Sequence, residues 1–332
     1  MKIKIGINGF GRIGRSLTRV IQEREGIEIV GINDVADLPT LAHLLKYDSV
    51  HGRFPDVVGN QEDHLLIGDK RIRVTHFSDP ALIPWNEMGV DMVIESTGRF
   101  KTAAEAENHL KEGVKNVILS APPADDSIPM VILGVKEKAI EERQRIISNA
   151  SCTTNCAAPM IDVIRRNFGV EQAYITTVHS YTSDQRLHDA PHKDLRRARA
   201  AALSMVPTTT GAAKALTGVF PDLQGRLGGC GIRVPVPDGS LTDITFTVAR
   251  DTSVEEVNKA FREASDTYLK GILDTTTEPL VSADIIGLKN SCLMDELLTS
   301  VLGRMVKVVG WYDNEMGYSN RLADLISRLG HP

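Results

Sequence analysis

Apolar and polar side chains alternate over Lys2–Asn8 and again over Ile27–Asn33, the pattern of two β-strands. Between these runs, apolar residues recur every three or four positions from Ile13 to about Glu23, which indicates a helix. Two strands joined by a helix can pair in parallel, because the helix carries the chain back to the starting edge. The chain therefore opens with a predicted βαβ unit.

Further apolar runs extend this pattern through the first 150 residues. Gly68-Asp69 separates two short runs and predicts a hairpin, which we expect to be a small antiparallel insertion. The other expected elements are strands over Val90–Thr97, Val114–Ser120, Met130–Val135 and Arg145–Asn149 and a helix over Ala103–Lys111. Strands that alternate with helices predict an α/β fold with a doubly wound sheet.

The pattern changes near residue 150, and we expect one domain over residues 1–150 and a second over 151–314. A capping box at Ser253 opens a helix that continues to about Leu269, and an amphipathic helix ends at Gly330. The expected strands are Ala173–Ser180, Gly231–Val236, Leu241–Arg250 and Val306–Trp311. One-sided alternation in these strands favours an α+β domain with a mostly antiparallel sheet.

Composition and charge limit the partners and the cell compartment expected for this chain. The 332 residues are 42% hydrophobic and 24% charged, with a net charge of -5, which argues against a dedicated nucleic-acid or membrane surface. No apolar run reaches membrane-spanning length, and the N-terminus lacks the core of a signal peptide. Four dispersed cysteines without a zinc-like spacing indicate a reducing cytoplasm and no metal site.

The turn after the first strand carries a glycine motif. Gly9-Phe10-Gly11-Arg12-Ile13-Gly14 matches G-x-G-x-x-G, and Asp34 ends the second strand. In a dinucleotide-binding Rossmann domain, Gly9 permits the tight turn, Gly11 admits a pyrophosphate, Gly14 lets helix and strand pack, and Asp34 binds the adenosine ribose. A flexible turn is the alternative for the motif alone. The carboxylate of Asp34 favours NAD over NADP.

The ends of two later strands are candidates for the same crevice. Ligands of doubly wound sheets bind at the carboxyl ends of the strands, which brings in Thr97 and Ser120. Both residues could equally lie in ordinary turns.

A reactive cysteine is expected at Cys152, within the segment Ser151–Cys156. This segment precedes a helical pattern that runs to Phe168, so Cys152 falls in or just before the first helical turn. Free amides and the helix dipole at that position lower a thiol pKa and hold anions, so we expect a nucleophile with a phosphate beside it. A small buried hydrophobic residue is the competing interpretation.

Taken together, these motifs resemble the phosphorylating glyceraldehyde-3-phosphate dehydrogenase family over nearly the whole chain. The segments that carry the resemblance are Asn8–Arg15, Ser148–Cys156, Thr177–Thr182, His192–Arg199, Pro207–Lys214 and Trp311–Glu315. The resemblance implies a glycolytic enzyme that uses NAD and inorganic phosphate to convert D-glyceraldehyde 3-phosphate to 1,3-bisphosphoglycerate. It also implies a homotetramer, a C-terminal helix 315–332 that completes the NAD-binding domain, and a loop from Tyr181 to Leu203 that reaches a neighbouring subunit's cofactor.

The resemblance assigns roles to individual residues. Cys152 forms a hemithioacetal and then a thioester, His179 is the base, and Asn314 holds the nicotinamide carboxamide. Without the resemblance, a structural histidine and a turn asparagine are the default interpretations. The substrate phosphate is assigned to Thr182 and Arg233, and the attacking phosphate to Ser151, Thr153, Arg197, Thr210 and Gly211. Hydroxyls, amides and guanidinium groups suit a dianion, although most charges from Lys193 to Arg199 fit a solvated or subunit-contact face.

Two positions depart from the family pattern. Ala190-Pro191 combines half of the dipeptide typical of NAD-specific members with half of that of dual-cofactor members, so some NADP use is expected. Met316 stands where members usually carry Trp, and we expect altered packing near Asn314 without loss of function.

Three other functions compete with this interpretation. An erythrose-4-phosphate dehydrogenase would share the scaffold, but its phosphate loop departs from the intact Thr208–Lys214. A cysteine hydrolase could use Cys152 and His179 but would not need the dinucleotide motif. A non-catalytic NAD- or RNA-binding module would explain the fold without the thiol.

Overall fold

The computed structural model describes residues 2–330, which form two compact units. The N-terminal unit contains residues 2–150 together with 319–330, and the second unit contains residues 151–318. No helix within residues 2–330 has the length and apolar character needed to cross a membrane.

The N-terminal unit alternates strands and helices, as expected. The predicted βαβ unit is confirmed, and its second strand has the predicted bounds. The strands are β1 Ile3–Asn8, β2 Ile27–Asn33, β3 Tyr47–Asp48, β4 Gly52–Arg53, β5 Val58–Gln61, β6 His64–Ile67, β7 Lys70–Thr75, β8 Met92–Glu95, β9 Asn116–Leu119 and β10 Ile146–Ser148. The helices are α1 Arg12–Gln22, α2 Leu38–Lys46, α3 Ala103–Glu107 and α4 Lys138–Glu141.

The order of these strands identifies a doubly wound sheet. It runs β10-β9-β8-β1-β2-β7-β6-β5, with parallel pairing from β10 to β7 and an antiparallel extension through β6 and β5. The chain leaves β1 in one direction toward β2 and returns on the other side at β8. Ligands of such sheets bind outside the strand ends at this reversal.

The second unit is built around a mostly antiparallel sheet, which confirms the predicted α+β class. Its elements are α5 Cys152–Phe168, β11 Gln172–Ser180, β12 Val206–Thr208, α6 Ala212–Val219, β13 Leu227–Val234, β14 Ser240–Thr247, α7 Val254–Asp266, β15 Leu273–Thr276, β16 Cys292–Asp295, β17 Ser300–Leu302 and β18 Met305–Tyr312. The last helix, α8, covers Met316–Gly330 and continues into the N-terminal unit.

The register of the second sheet brings two distant residues together. Its order is β12-β13-β11-β14-β18-β16-β15, and β11 pairs in parallel with β13. This pairing sets His179 beside Arg233, although 54 residues separate them. The alternation predicted for β14 is present, because Ile244 and Phe246 are fully buried while their neighbours are partly exposed.

Two predictions for the N-terminal unit are wrong. Met130–Val135 is not a strand, since only isolated bridges join Met130 to Ser148 and Ile132 to Lys136. Gly134 takes a φ of +78° and turns the chain there, which ends the extended run. The helix expected over Ala103–Lys111 ends at Glu107, and the rest continues as turns.

Candidate functional site

A cavity of about 230 Å³ lies at the strand reversal of the N-terminal unit. Its walls come from the chain just after β1, β2 and β8, as the rule for doubly wound sheets requires. The lining residues are Asn8, Gly9, Gly11, Asn33, Asp34, Val35, Phe77, Ser78, Ser96, Thr97, Arg99 and Phe100.

The three motif glycines have distinct surroundings. Gly9 takes a φ of +92°, and a Cβ there would lie 2.7 Å from the backbone nitrogen of Thr97. A Cβ on Gly14 would lie 2.5 Å from the carbonyl oxygen of Gly9, so the start of α1 packs closely on the turn. Gly11 has no atom within 4 Å of its Cβ position. This open, glycine-walled approach at a helix N-terminus fits the pyrophosphate of a dinucleotide.

Asp34 organises the same loop. Its carboxylate accepts hydrogen bonds from the backbone N–H of Phe10 at 2.7 Å and of Ala36 at 2.9 Å. The carboxylate thus faces the cavity with its position fixed by backbone, which suits ribose hydroxyls. Four of the nine predicted cofactor residues of this unit, Gly9, Gly11, Asp34 and Thr97, line the cavity, whereas Phe10, Arg12, Ile13, Gly14 and Ser120 do not.

Arg12 instead pairs with a buried carboxylate. Its Nη1 and Nη2 donate to Asp48 at 2.7 Å and 3.2 Å. Burial of Asp48 works to raise its pKa, but the backbone N–H of His51 and the Arg12 guanidinium outweigh it and lower the pKa to about 2. The pair therefore stays ionised and ties the start of α1 to the segment after α2.

In the second unit, the thiol lies where the sequence predicts it. Cys152 is the first residue of α5, and the hydroxyl of Ser151 caps the helix by accepting from the N–H of Thr154 at 3.1 Å. The Sγ atom of Cys152 lies 3.5 Å from Nε2 of His179 at the end of β11. A nucleophile and a candidate base are thus within proton-transfer reach.

The other ring nitrogen of His179 has two partners. Nδ1 lies 2.8 Å from the carbonyl oxygen of Ser180 and 2.6 Å from Nη1 of Arg233, which also donates to that carbonyl at 3.0 Å. A proton on Nδ1 suits the carbonyl of Ser180 and leaves the Nε2 lone pair directed at the thiol, whereas Arg233 can only donate and suits an Nδ1 without a proton. Only the tautomer with the proton on Nδ1 can act as a base toward the thiol.

The expected lowering of the thiol pKa is wrong for this structure. Desolvation of the sulfur raises the pKa of Cys152 to about 11, although the charge of Arg233 and the N–H of Thr153 act in the opposite direction. Burial and the charge of Arg233 lower the pKa of His179 to about 3. Thiol and imidazole are therefore both neutral at pH 7, which favours proton transfer during attack over a preformed ion pair.

The residues expected to bind phosphate are only partly brought together. Arg197 and Arg233 interact electrostatically and both lower the pKa of the neutral His179, so two of these residues form one cationic cluster. Arg197 is also held by Thr208 at 2.9 Å and by Asp184. Among residues 2–330, no hydrogen bond joins the Thr182 side chain to this cluster. Thr210 and Gly211 lie at the start of α6, where the Thr210 hydroxyl accepts from the N–H of Ala212 at 3.2 Å.

Several supporting residues were missed by the sequence patterns. The hydroxyl of Tyr312 lies 2.9 Å from those of both Thr153 and Thr177, which anchors Thr153 from behind. The Oδ1 atom of Asn314 accepts from Ser180 Oγ at 2.7 Å and Ser240 Oγ at 2.8 Å. These contacts join strands distant in sequence, so no local motif marks them. Arg99, which lines the cofactor cavity, was also missed, although its position just after β8, at the end of a strand, was a signal that could have found it.

Comparisons with known proteins agree on one family. Residues 3–103 match the family described as "Glyceraldehyde 3-phosphate dehydrogenase, NAD binding domain", and residues 151–314 match its C-terminal domain. The chain is 53% identical to "Glyceraldehyde-3-phosphate dehydrogenase 1" of Streptomyces avermitilis over 332 residues, covering 99% of each chain. It is 52% identical to the glyceraldehyde-3-phosphate dehydrogenase of Mycolicibacterium smegmatis over 338 residues, again covering 99% of both.

Proposed function

The chain belongs to the glyceraldehyde-3-phosphate dehydrogenase family, and we propose that Cys152 and His179 carry its chemistry. It acts as an NAD-dependent oxidoreductase on D-glyceraldehyde 3-phosphate and inorganic phosphate. The observation that supports the two catalytic roles is the 3.5 Å separation of Sγ and Nε2 at the start of α5.

Acylation begins when the sulfur of Cys152 adds to the aldehyde carbon. The thiol proton passes to Nε2 of His179 and from there to the former carbonyl oxygen, which becomes the hydroxyl of a hemithioacetal and leaves Nε2 able to accept again. Removal of the hydroxyl proton by His179, with loss of hydride from the same carbon, leaves a thioester. When bound, NAD supplies the nicotinamide ring that accepts a hydride.

Phosphate then releases the product. An oxygen of inorganic phosphate attacks the thioester carbon and the C–S bond breaks. The departing sulfur takes back the proton held on Nε2 of His179, and the acyl phosphate 1,3-bisphosphoglycerate leaves. We assign the attacking phosphate to Ser151, Thr153, Arg197, Thr210 and Gly211, and the substrate phosphate to Thr182 and Arg233. The cationic cluster around Arg197 and Arg233 supports this assignment, because guanidinium groups stabilise dianions through short, charge-assisted hydrogen bonds.

The cofactor assignment follows the same reasoning. We assign NAD to residues of the dinucleotide motif, to Asp34, Thr97 and Ser120, and to Asn314. Because Ser180 and Ser240 occupy Oδ1 of Asn314, its Nδ2 is the atom that donates to the carboxamide. The fixed carboxylate of Asp34 disfavours a 2′-phosphate, while Ala190-Pro191 motivates a proposal of residual NADP use.

Domain roles, assembly and compartment are also proposals. We propose an NAD-binding domain over 1–150 with 315–332 and a catalytic domain over 151–314. A homotetramer is supported by the segment Tyr181–Met205, on which Leu187, Leu195, Leu203 and Met205 each expose more than 70% of their surface. The four free cysteines suit a reducing cytoplasm. Light scattering on the purified chain tests the assembly, and a monomer would reject it.

One experiment tests the function directly. NADH formation from glyceraldehyde 3-phosphate should require inorganic phosphate and should stop after alkylation of Cys152. Erythrose 4-phosphate, supplied in parallel, should react more slowly. Faster turnover of erythrose 4-phosphate, or turnover that survives alkylation, would reject the proposal.

A further inference from the structure

A chain of buried polar side chains runs behind the cofactor cavity of the N-terminal unit. Its members are Trp85, His109, Glu95, Asn8 and Asn33, and none exposes more than 2% of its surface. Buried polar groups are costly unless every donor and acceptor is paired, so their partners determine both orientation and charge.

The first link determines the protonation of His109. The indole Nε1–H of Trp85 can only donate, and it lies 3.0 Å from Nδ1 of His109. Nδ1 must therefore accept and carries no proton. The imidazole is neutral, with its single proton on Nε2, which donates to Oε2 of Glu95 at 3.1 Å.

Both carboxylate oxygens of Glu95 accept hydrogen bonds. Besides His109, Oε2 accepts from Nδ2 of Asn8 at 2.6 Å, while Oε1 accepts from the backbone N–H of Thr97 at 2.8 Å and from the Thr97 hydroxyl. An ionised carboxylate only accepts, which matches four donors and no acceptor around it. The buried charge is thus compensated by hydrogen bonds alone.

The hydrogen bonds of Glu95 also determine which atoms donate and accept at the cavity wall. Since Nδ2 of Asn8 faces Glu95, Oδ1 of Asn8 accepts from Nδ2 of Asn33 at 2.8 Å. Oδ1 of Asn33 in turn accepts from the backbone N–H of Phe77 at 2.9 Å. Asn8, Asn33, Phe77 and Thr97 all line the cavity, whereas Trp85, Glu95 and His109 do not.

We propose that Glu95 is a positioning residue for NAD, oriented by a histidine that Trp85 keeps in its Nε2–H tautomer. The relay fixes which atoms donate and which accept at four residues of the cavity wall: Asn8, Asn33, Phe77 and Thr97. The site is thus organised before the cofactor binds. The proposal rests on the assignment of this cavity to NAD. Packing alone would not require this order of donors and acceptors, although the Trp85 ring does fill the space beside Gly6 and Gly31.

Glu95→Gln provides the first test. The substitution keeps the shape but puts an NH₂ group where only acceptors fit, so a donor faces a donor in either amide orientation. Calorimetry should show an NAD Kd raised about tenfold or more, in line with one unsatisfied buried donor. Leu65→Ala, at a fully buried position of β6, is the control: it should lower thermal stability and leave the Kd unchanged.

A double variant separates polarity from packing. Trp85→Phe removes the donor from Nδ1, so His109 can move its proton there and accept, through Nε2, from the amide that Glu95→Gln introduces. Trp85→Phe alone should weaken NAD binding, but Glu95→Gln with Trp85→Phe should lose less than the sum of the two single losses. Packing alone predicts additive losses.

The NAD-binding measurements separate a failure of the proposed function from a failure of the relay. A wild-type chain that does not bind NAD would reject the proposed function, whereas normal binding with unchanged Kd in the variants would reject only the relay. Additive losses would likewise overturn it. If Glu95→Gln does not fold, the NAD Kd of Trp85→Phe decides, and an unchanged value rejects the proposal.

Discussion

At the scale of single residues, the proposed role of His179 as a base depends on which ring nitrogen carries its proton. As a base, His179 carries its proton on Nδ1, bonded to Ser180, and accepts from the thiol through Nε2, 3.5 Å away. Arg233 lies 2.6 Å from Nδ1 and can only donate, so this tautomer requires Arg233 to direct its N–H to the Ser180 carbonyl, 3.0 Å away, and not to Nδ1. The neutral state of both partners therefore makes the tautomer of His179 as important as its position.

Replacing His179 by Asn removes the proposed base. His179→Asn should slow acylation by roughly 10²- to 10⁴-fold, the usual contribution of general base catalysis. NAD affinity should stay nearly unchanged, because the cofactor cavity of the N-terminal unit does not include this residue. Rapid mixing resolves the first turnover, and a burst of NADH as fast as that of the unmodified chain would refute the role.

Arg233 supplies the charge that opposes burial at the thiol. Removing it in Arg233→Gln should raise the pKa of Cys152 further, since the guanidinium lowers that pKa. The thiolate fraction at a given pH then falls, because below the pKa it decreases about tenfold whenever the pKa rises by one. Alkylation of Cys152 by iodoacetamide at pH 8, followed by peptide mass spectrometry, should therefore slow, and its pH profile should move to higher pH.

Arg250→Gln is the matched control for this experiment. Arg250 is an exposed arginine of the same unit that pairs with Glu256 at 3.4 Å. Its removal should leave the alkylation profile in place. Equal effects of the two substitutions, or faster alkylation in Arg233→Gln, would show that Arg233 does not act on the sulfur.

At the scale of elements, the start of α5 combines a structural role with a proposed functional one. Ser151 caps this helix through Thr154, and Ser253 caps α7 in the same way through Glu256 at 3.2 Å. Ser→Ala at either cap should cost about 1 kcal/mol of unfolding free energy, because an amide loses its partner. Only Ser151→Ala should also raise the KM for inorganic phosphate.

Denaturant unfolding and phosphate-dependent kinetics on both cap variants check this comparison. If both variants keep the KM of the unmodified chain, Ser151 serves as a cap alone. If Ser253→Ala alters the KM as well, the change reflects general loss of stability.

The elements also show how far a sequence pattern can be followed. β2 has the predicted bounds because Gly26 precedes a clear apolar run and the polar Asn33 and Asp34 end it, with Asn33 as the last residue of the strand. Met130–Val135 is equally apolar, yet the chain turns at Gly134, so apolar composition alone wrongly predicts a strand there. The helix α2 was missed although Asp37 caps it, Pro39 lies in its first turn, and its buried residues recur at helical spacing: Leu38, Leu41, Ala42 and Leu45.

The residues of the candidate site also divide into those that a local sequence pattern predicts and those that it does not. Cys152 and the motif glycines are local features, so their spacing and neighbours predict them. The pairing of His179 with Arg233 depends on the register of two parallel strands, and the relay through Glu95 joins five separate segments. Such contacts arise from tertiary packing and leave no periodic signal.

At the scale of the whole molecule, the chain returns from the second unit to complete the first. Residues 319–330 belong to the N-terminal unit, and Arg24, just after α1, bonds both Asp324 and Asn320 of α8. Leu322, Leu325 and Ile326 of this helix are fully buried. We infer that the stability of the dinucleotide-binding unit depends on the last turns of α8.

Two Leu→Ala substitutions test this dependence. Leu325→Ala in α8 and Leu216→Ala in α6 each delete a fully buried side chain and should each cost about 2–5 kcal/mol. Because each change lowers the local free energy of opening, hydrogen exchange should accelerate over residues 2–150 in Leu325→Ala and over residues 151–318 in Leu216→Ala. Saturating NAD should slow the exchange caused by Leu325→Ala, since a ligand stabilises the folded unit that binds it. Unchanged exchange over residues 2–150 in Leu325→Ala would show that α8 only lies against this unit without supporting it.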